Sequence, residues 1–136
     1  MGIALSTALH TSFDEAVRRT REALAAQGFG VLTEIDVKAT LKAKLNEDME
    51  DYLILGACNP PLAHRAIDID RQIGLLLPCN VVVRADPNAT DTVLIEAMDP
   101  QVLVDVTRDA QMRPVADEVA AKLQTAIDSL TERSQN

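Results

Sequence analysis

Two cysteines, each followed by an asparagine, are the residues best suited to chemistry in this chain: Cys58-Asn59-Pro60 and Pro78-Cys79-Asn80. A thiolate is a nucleophile and a soft metal ligand, and it forms most readily beside positive charge or at the amino end of a helix. Cys58 is expected to meet the second condition, because Asn59 is a capping residue and Pro60 suits the first helical position. The free amides and the helix dipole favour an ionised sulfur there. The opposing reading makes both thiols small core hydrophobes, since free cysteine is among the most buried residue types. Both readings are open at this level.

If the two sulfurs meet in space, Cys58 can act as a nucleophile with Cys79 as its resolving thiol. Two thiols fall short of the four ligands of a structural zinc site, unless His64 or a partner subunit contributes. His64, beside Arg65, is more simply an exposed helix residue, and His10 has the same plain explanation. Asn59 is explained by its cap. Asn80 lies inside Leu-Leu-Leu-Pro-Cys-Asn-Val-Val-Val and must find partners if buried, or point into a pocket. Cys58, Asn59, Cys79 and Asn80 therefore form the candidate ligand-binding set; Tyr52 reads more simply as a half-buried strand aromatic than as a cap over it. The acidic run Glu47, Asp48, Glu50 and Asp51 lacks the EF-hand pattern and reads as a solvated loop.

The elements that must position these residues can be read from periodicity. Residues 52 to 58 form an apolar run too short for a helix and broken by Gly56 and Pro60, which predicts a buried strand. Leu62, Ala66, Ile69 and Ile73 recur at helical spacing, and Val81-Val82-Val83 is a β-branched strand. Upstream, residues 3 to 9 alternate with Ile3, Leu5, Thr7 and Leu9 inward. Ser12 to Glu15 spells a capping box for a helix that buries Phe13, Ala16, Val17, Thr20 and Leu24 and ends at Gly28. A strand follows with Phe29, Val31 and Ile35 inward. Asp36 then caps a second helix with the stripe Val37, Thr40, Leu41 and Leu45.

Turn formers at 86 to 90 predict a hairpin into a strand over 92 to 98. Residues 101 to 113 read equally as a helical turn or an extended piece. Pro114 opens a last helix with Val115, Val119, Leu123, Ala126, Ile127 and Leu130 on one stripe.

The order β-α-β-α-β-α-β-β-α and the absence of a glycine-rich phosphate loop predict a two-layer α+β sandwich. About five strands make a mixed or antiparallel sheet, with helices mainly on one face. A single domain over residues 1–133 and a frayed tail over 134–136 are expected.

Three separated blocks, residues 28–37, 55–60 and 74–83, together resemble the domain-of-unknown-function family numbered 302 (DUF302). The resemblance implies a small α+β domain that forms homodimers. It implies no reaction, substrate or cofactor.

The chain of 136 residues has 13 basic and 21 acidic side chains, a formal charge of -8. That balance disfavours nucleic-acid binding, which relies on Lys and Arg displacing counterions. Arg18, Arg19 and Arg21 are interleaved with acids as a solvated helix face. No apolar run approaches the roughly 20 residues of a membrane span. The start lacks a secretory pattern, so a cytoplasmic location and reduced thiols are expected.

No catalytic triad, nucleotide loop or carboxylate pair stands out, so the residues do not point to an enzyme. The leading expectation is a homodimeric module that binds a small molecule or metal at the Cys-Asn junctions. A thiol redox or sulfur-transfer protein using Cys58 and Cys79 is the alternative, and a structural dimer with inert cysteines the third.

Overall fold

The computed structural model describes residues 3–134, with side chains through residue 131. Five strands, β1 (Ala4–Leu9), β2 (Gly30–Asp36), β3 (Tyr52–Cys58), β4 (Cys79–Ala85) and β5 (Val93–Met98), form one sheet in the order β1-β5-β4-β3-β2. Every neighbouring pair is antiparallel, which settles the expected choice between mixed and antiparallel. Five helices accompany them: α1 (Phe13–Ala26), α2 (Val37–Leu45), α3 (Pro60–Ile69), α4 (Gln101–Thr107) and α5 (Met112–Ser134). A short 3-10 turn, Arg71–Leu76, follows α3. The architecture is the predicted α+β sandwich with one extra helix, α4, in the stretch whose sequence gave no decision.

Local chemistry explains most boundaries. Ser12 Oγ accepts the Glu15 amide at 3.2 Å and starts α1. Glu15 does not reach back as a capping box requires; Arg18 and Arg19 hold its carboxylate at 2.6 and 2.9 Å. Asp36 caps α2 by accepting the Ala39 amide at 2.9 Å. Gly28 takes φ +84 just after α1, a backbone angle that L side chains rarely adopt. The last helix opens two residues before Pro114, which sits in its first turn where no amide partner is lost. Ser134 closes α5, and the rest of the predicted tail lies outside the described residues.

The sheet has one covered and one open face. Leu9, Leu55, Val81, Val83 and Ile95 point into a continuous core with Ala16 and Leu24 of α1, Leu62 and Ala66 of α3, Leu103 of α4 and Leu123 and Leu130 of α5. Each such buried leucine contributes about 2 kcal/mol through the apolar area it removes from water.

The open face consists of three cross-strand rows, given by the register. They are Ser6-Glu96-Val82-Ile54-Ile35, Ala8-Leu94-Arg84-Tyr52 and Ala4-Met98-Asn80-Gly56-Thr33.

Several sequence expectations change here. Ile3 precedes β1 and is 74% exposed. Ile35 is 49% exposed rather than inward, because a register shift between Val31 and Thr33 inserts one residue and reverses the alternation that Phe29 and Val31 begin. Helix α2 buries none of its predicted stripe: Val37 and Leu41 are half-buried, Thr40 is exposed and Leu45 is 64% exposed. Ile73 is buried as foreseen, but from the 3-10 turn rather than from α3, which ends at Ile69.

Candidate functional site

Cys58 ends β3, and the next residue caps α3, so the sulfur-bearing junction lies at a helix amino end as the sequence predicted. Asn59 Oδ1 accepts the Leu62 amide and Asn59 Nδ2 donates to the Gln27 carbonyl, both at 3.4 Å. The asparagine thus ties the end of α1 to the start of α3. With both ends of its amide engaged, Asn59 acts as a structural clamp.

Cys79 opens β4 directly opposite Ala57, one register step from Cys58. Strand pairing thereby brings together two residues far apart in the chain. Both cysteines are free thiols. They border one cavity between the sheet, α3 and α5, whose walls include Phe29, Leu62, Leu77 and Val119. The void is small, about 30 Å³, on the order of one or two water-sized groups. Its lining is almost wholly apolar. Cys58 is half-buried, whereas Cys79 is only 5% exposed. Burial, with a smaller contribution from a charge on Cys58, pushes the Cys79 thiol up to about 11. Cys79 is therefore protonated at neutral pH and suits a wall better than a nucleophile.

The approach of the Pro78 loop depends on a glycine. A Cβ on Gly56 would lie 2.1 Å from Thr33 Oγ1 and 2.8 Å from Pro78 Cγ. Only a residue without a side chain lets Thr33 and Pro78 close over β3 on its open face.

Two members of the predicted set lie elsewhere. Asn80 is exposed and points to the open face, because successive strand residues alternate and Cys79 already faces the core. Tyr52 stands at the opposite end of β3 from Cys58, about 20 Å away at the rise of a strand, and caps no part of the cavity. His64 is 76% exposed on α3, 3.7 Å from Asp68, and does not line the cavity. No cluster of three or more potential metal ligands occurs among the described residues. Asp48 and Asp51 of the acidic run pair with Lys42 and Lys38.

Sequence reasoning missed the apolar walls supplied from a distance, Phe29, Leu103, Val115 and Val119. For Phe29, Val115 and Val119 the only sequence signal was membership of core stripes, which does not tell a cavity wall from solid packing, and Leu103 lies in the stretch that the sequence left undecided.

No helix among the described residues is long and apolar enough to cross a membrane. No curated protein matches the chain. Among solved structures it is similar to one described as "Crystal structure of uncharacterized conserved protein DUF302 from Bacillus stearothermophilus". Identity is 27% over 94% of this chain and 98% of the other, with a TM-score of 0.85. The family model described as "Domain of unknown function DUF302" matches residues 5–130. Nearly the whole sheet, the Cys-Asn junctions and four of the five helices lie wholly within that match, and the chain belongs to the DUF302 family.

Proposed function

We propose that this chain is a cytoplasmic, homodimeric binding module whose ligand presents a small apolar group to the cavity beneath α3. The observation that carries this reading is the cavity itself: apolar walls and a half-buried free thiol, Cys58, at the amino end of α3. Apolar walls reward a methyl-sized group, while the start of α3 has no amide to offer: Pro60 and Pro61 carry none, and the Leu62 and Ala63 amides donate to Asn59. A larger ligand enters only if part of the lining, such as the half-buried Leu77, moves aside.

Native mass spectrometry of the purified chain tests this reading, alongside the cavity-filling variant Ala63→Leu. A bound small-molecule mass in the wild type that is lost in the variant supports it. A clean apo mass for both, with unchanged melting across a panel of small carbonyl and carboxylate compounds, refutes it.

Thiol redox or sulfur transfer is the competing reading, favoured by the two sulfurs bordering one cavity. Its weakness is Cys79, whose burial keeps it a thiol at neutral pH. Recovery of a Cys58–Cys79 disulfide after mild oxidation of the folded protein would favour it over binding.

A further inference from the structure

We infer that the ligand of this cavity is a short straight-chain carboxylate, its tail among the apolar walls and its head held by Lys122 and Arg65 in the adjoining cleft between α1, α3 and α5. Resting on the cavity reading above, this adds the chemical class of the ligand and the residues that select it. With no amide free at the start of α3, a polar head has to be met by side chains. The cavity itself supplies none: Asn59, the amide side chain in its wall, is already engaged at both ends.

Suitable groups stand next door. An open cleft of about 600 Å³ is lined by Gln27, Arg65, Glu118 and Lys122, and it shares Asn59 and Leu62 with the cavity wall. The two voids thus adjoin across Leu62. Lys122 is half-buried in the cleft and has no hydrogen bond or ion pair among the described residues. The end of α1, which also borders the cleft, makes no claim on it. The Leu24 and Ala25 carbonyls accept backbone amides there, and the Gln27 carbonyl accepts Asn59 Nδ2. Arg65 Nη1 donates to Glu118 at 3.2 Å, which leaves further guanidinium donors for a second carboxylate. Two cations against one carboxylate give the cleft a positive balance in a chain of formal charge -8. An anionic head is therefore favoured here over the acidic remainder of the surface.

Spacing sets the length of the ligand. Val119 of the cavity wall and Lys122 of the cleft are three residues apart on α5, about 4.5 Å along its axis. An extended chain advances about 1.2 Å per bond. An acid of about four to six carbons therefore reaches from the lysine into the cavity. The void of about 30 Å³ takes its last one or two carbons, and Leu62 turns aside to admit the chain.

Titration calorimetry at low salt tests the class by comparing butanoate and hexanoate with 1-butanol and 1-hexanol. The acids should bind wild type about tenfold more tightly than alcohols of equal length. Lys122→Met should weaken the acids about fivefold and leave the alcohols unchanged, whereas Glu118→Gln, which releases Arg65, should tighten the acids about threefold. The cavity-filling Ala63→Leu should weaken both series. Acids no tighter than alcohols, or acid affinity untouched by Lys122→Met, overturns the carboxylate class and leaves the cavity reading standing. Binding of neither series to wild type, or acid binding that persists in a folded Ala63→Leu, overturns the cavity reading and this inference with it.

Discussion

Cys58 and Cys79 border one cavity from adjacent antiparallel strands, the first half-buried and the second sealed in its wall. Shared location and unequal access together separate their chemistry. In the folded protein an alkylating reagent is expected to modify Cys58 alone, with Cys79 reacting only after denaturation. Peptide mapping by mass spectrometry checks this, and native-state labelling of Cys79 would contradict the buried wall.

Cys79 also makes stability depend on alkaline pH. Its folded value is raised from 9.0 to about 11, so the fold favours the neutral thiol. That contribution is fully present below pH 9 and is lost as pH rises towards 11, a swing on the order of 2–3 kcal/mol. Urea unfolding is expected to show a fall in stability across this window that is shallower in Cys79→Ala. Parallel pH profiles for the two proteins would rule out the linkage.

Gly56→Ala places a methyl group against Thr33 and Pro78: the Thr33 hydroxyl must leave its rotamer, and the Pro78 ring retreats only if the loop before β4 moves. Overpacking of this kind costs about 1–3 kcal/mol. Because Thr33 Oγ1 is the closer obstacle, Thr33→Ala in the same chain should recover part of the loss. Chemical denaturation of the single and double variants measures it, and a neutral Gly56→Ala would show that the loop yields freely.

Asn59→Ala removes both the cap of α3 and the tie to Gln27. The two bonds are long, so the expected cost is at the low end for a cap, about 0.5–1 kcal/mol. Asn59→Asp keeps an acceptor for the Leu62 amide and adds charge at the helix amino end. It should fall between wild type and alanine. If aspartate is as damaging as alanine, the tie to Gln27 rather than the cap dominates.

Deleting core and edge side chains should separate the helices. Leu123 is fully buried in α5, and Leu123→Ala should cost about 2–5 kcal/mol. Leu45 is 64% exposed on α2, and Leu45→Ala should stay within about 0.5 kcal/mol. Equal effects at the two positions, by thermal or urea unfolding, would mean that α2 is packed against something in solution.

Local chemistry made much of this protein legible in its residues alone. Ser12, Asp36 and Asn59 mark three helix starts because a side-chain oxygen satisfies amides only two or three residues away. The apolar run of β3 and the β-branched run of β4 mark strands because such side chains pack well on a pleated sheet, although which residues of each run face the core appears only in the structure. Placing Cys58 at a helix start needed nothing more. Tertiary structure alone decided the rest, since it depends on partners distant in the chain. The β2 bulge sends Ile35 to the open face only because β2 pairs with β3 out of step. Asn80 leaves the site because Cys79, its neighbour, is drawn into the core opposite Ala57. The cavity exists because α3, α4 and α5 bring Leu62, Leu103 and Val119 to one place without filling it. Periodicity tells which way a side chain faces within its own element; what stands opposite it is settled by packing.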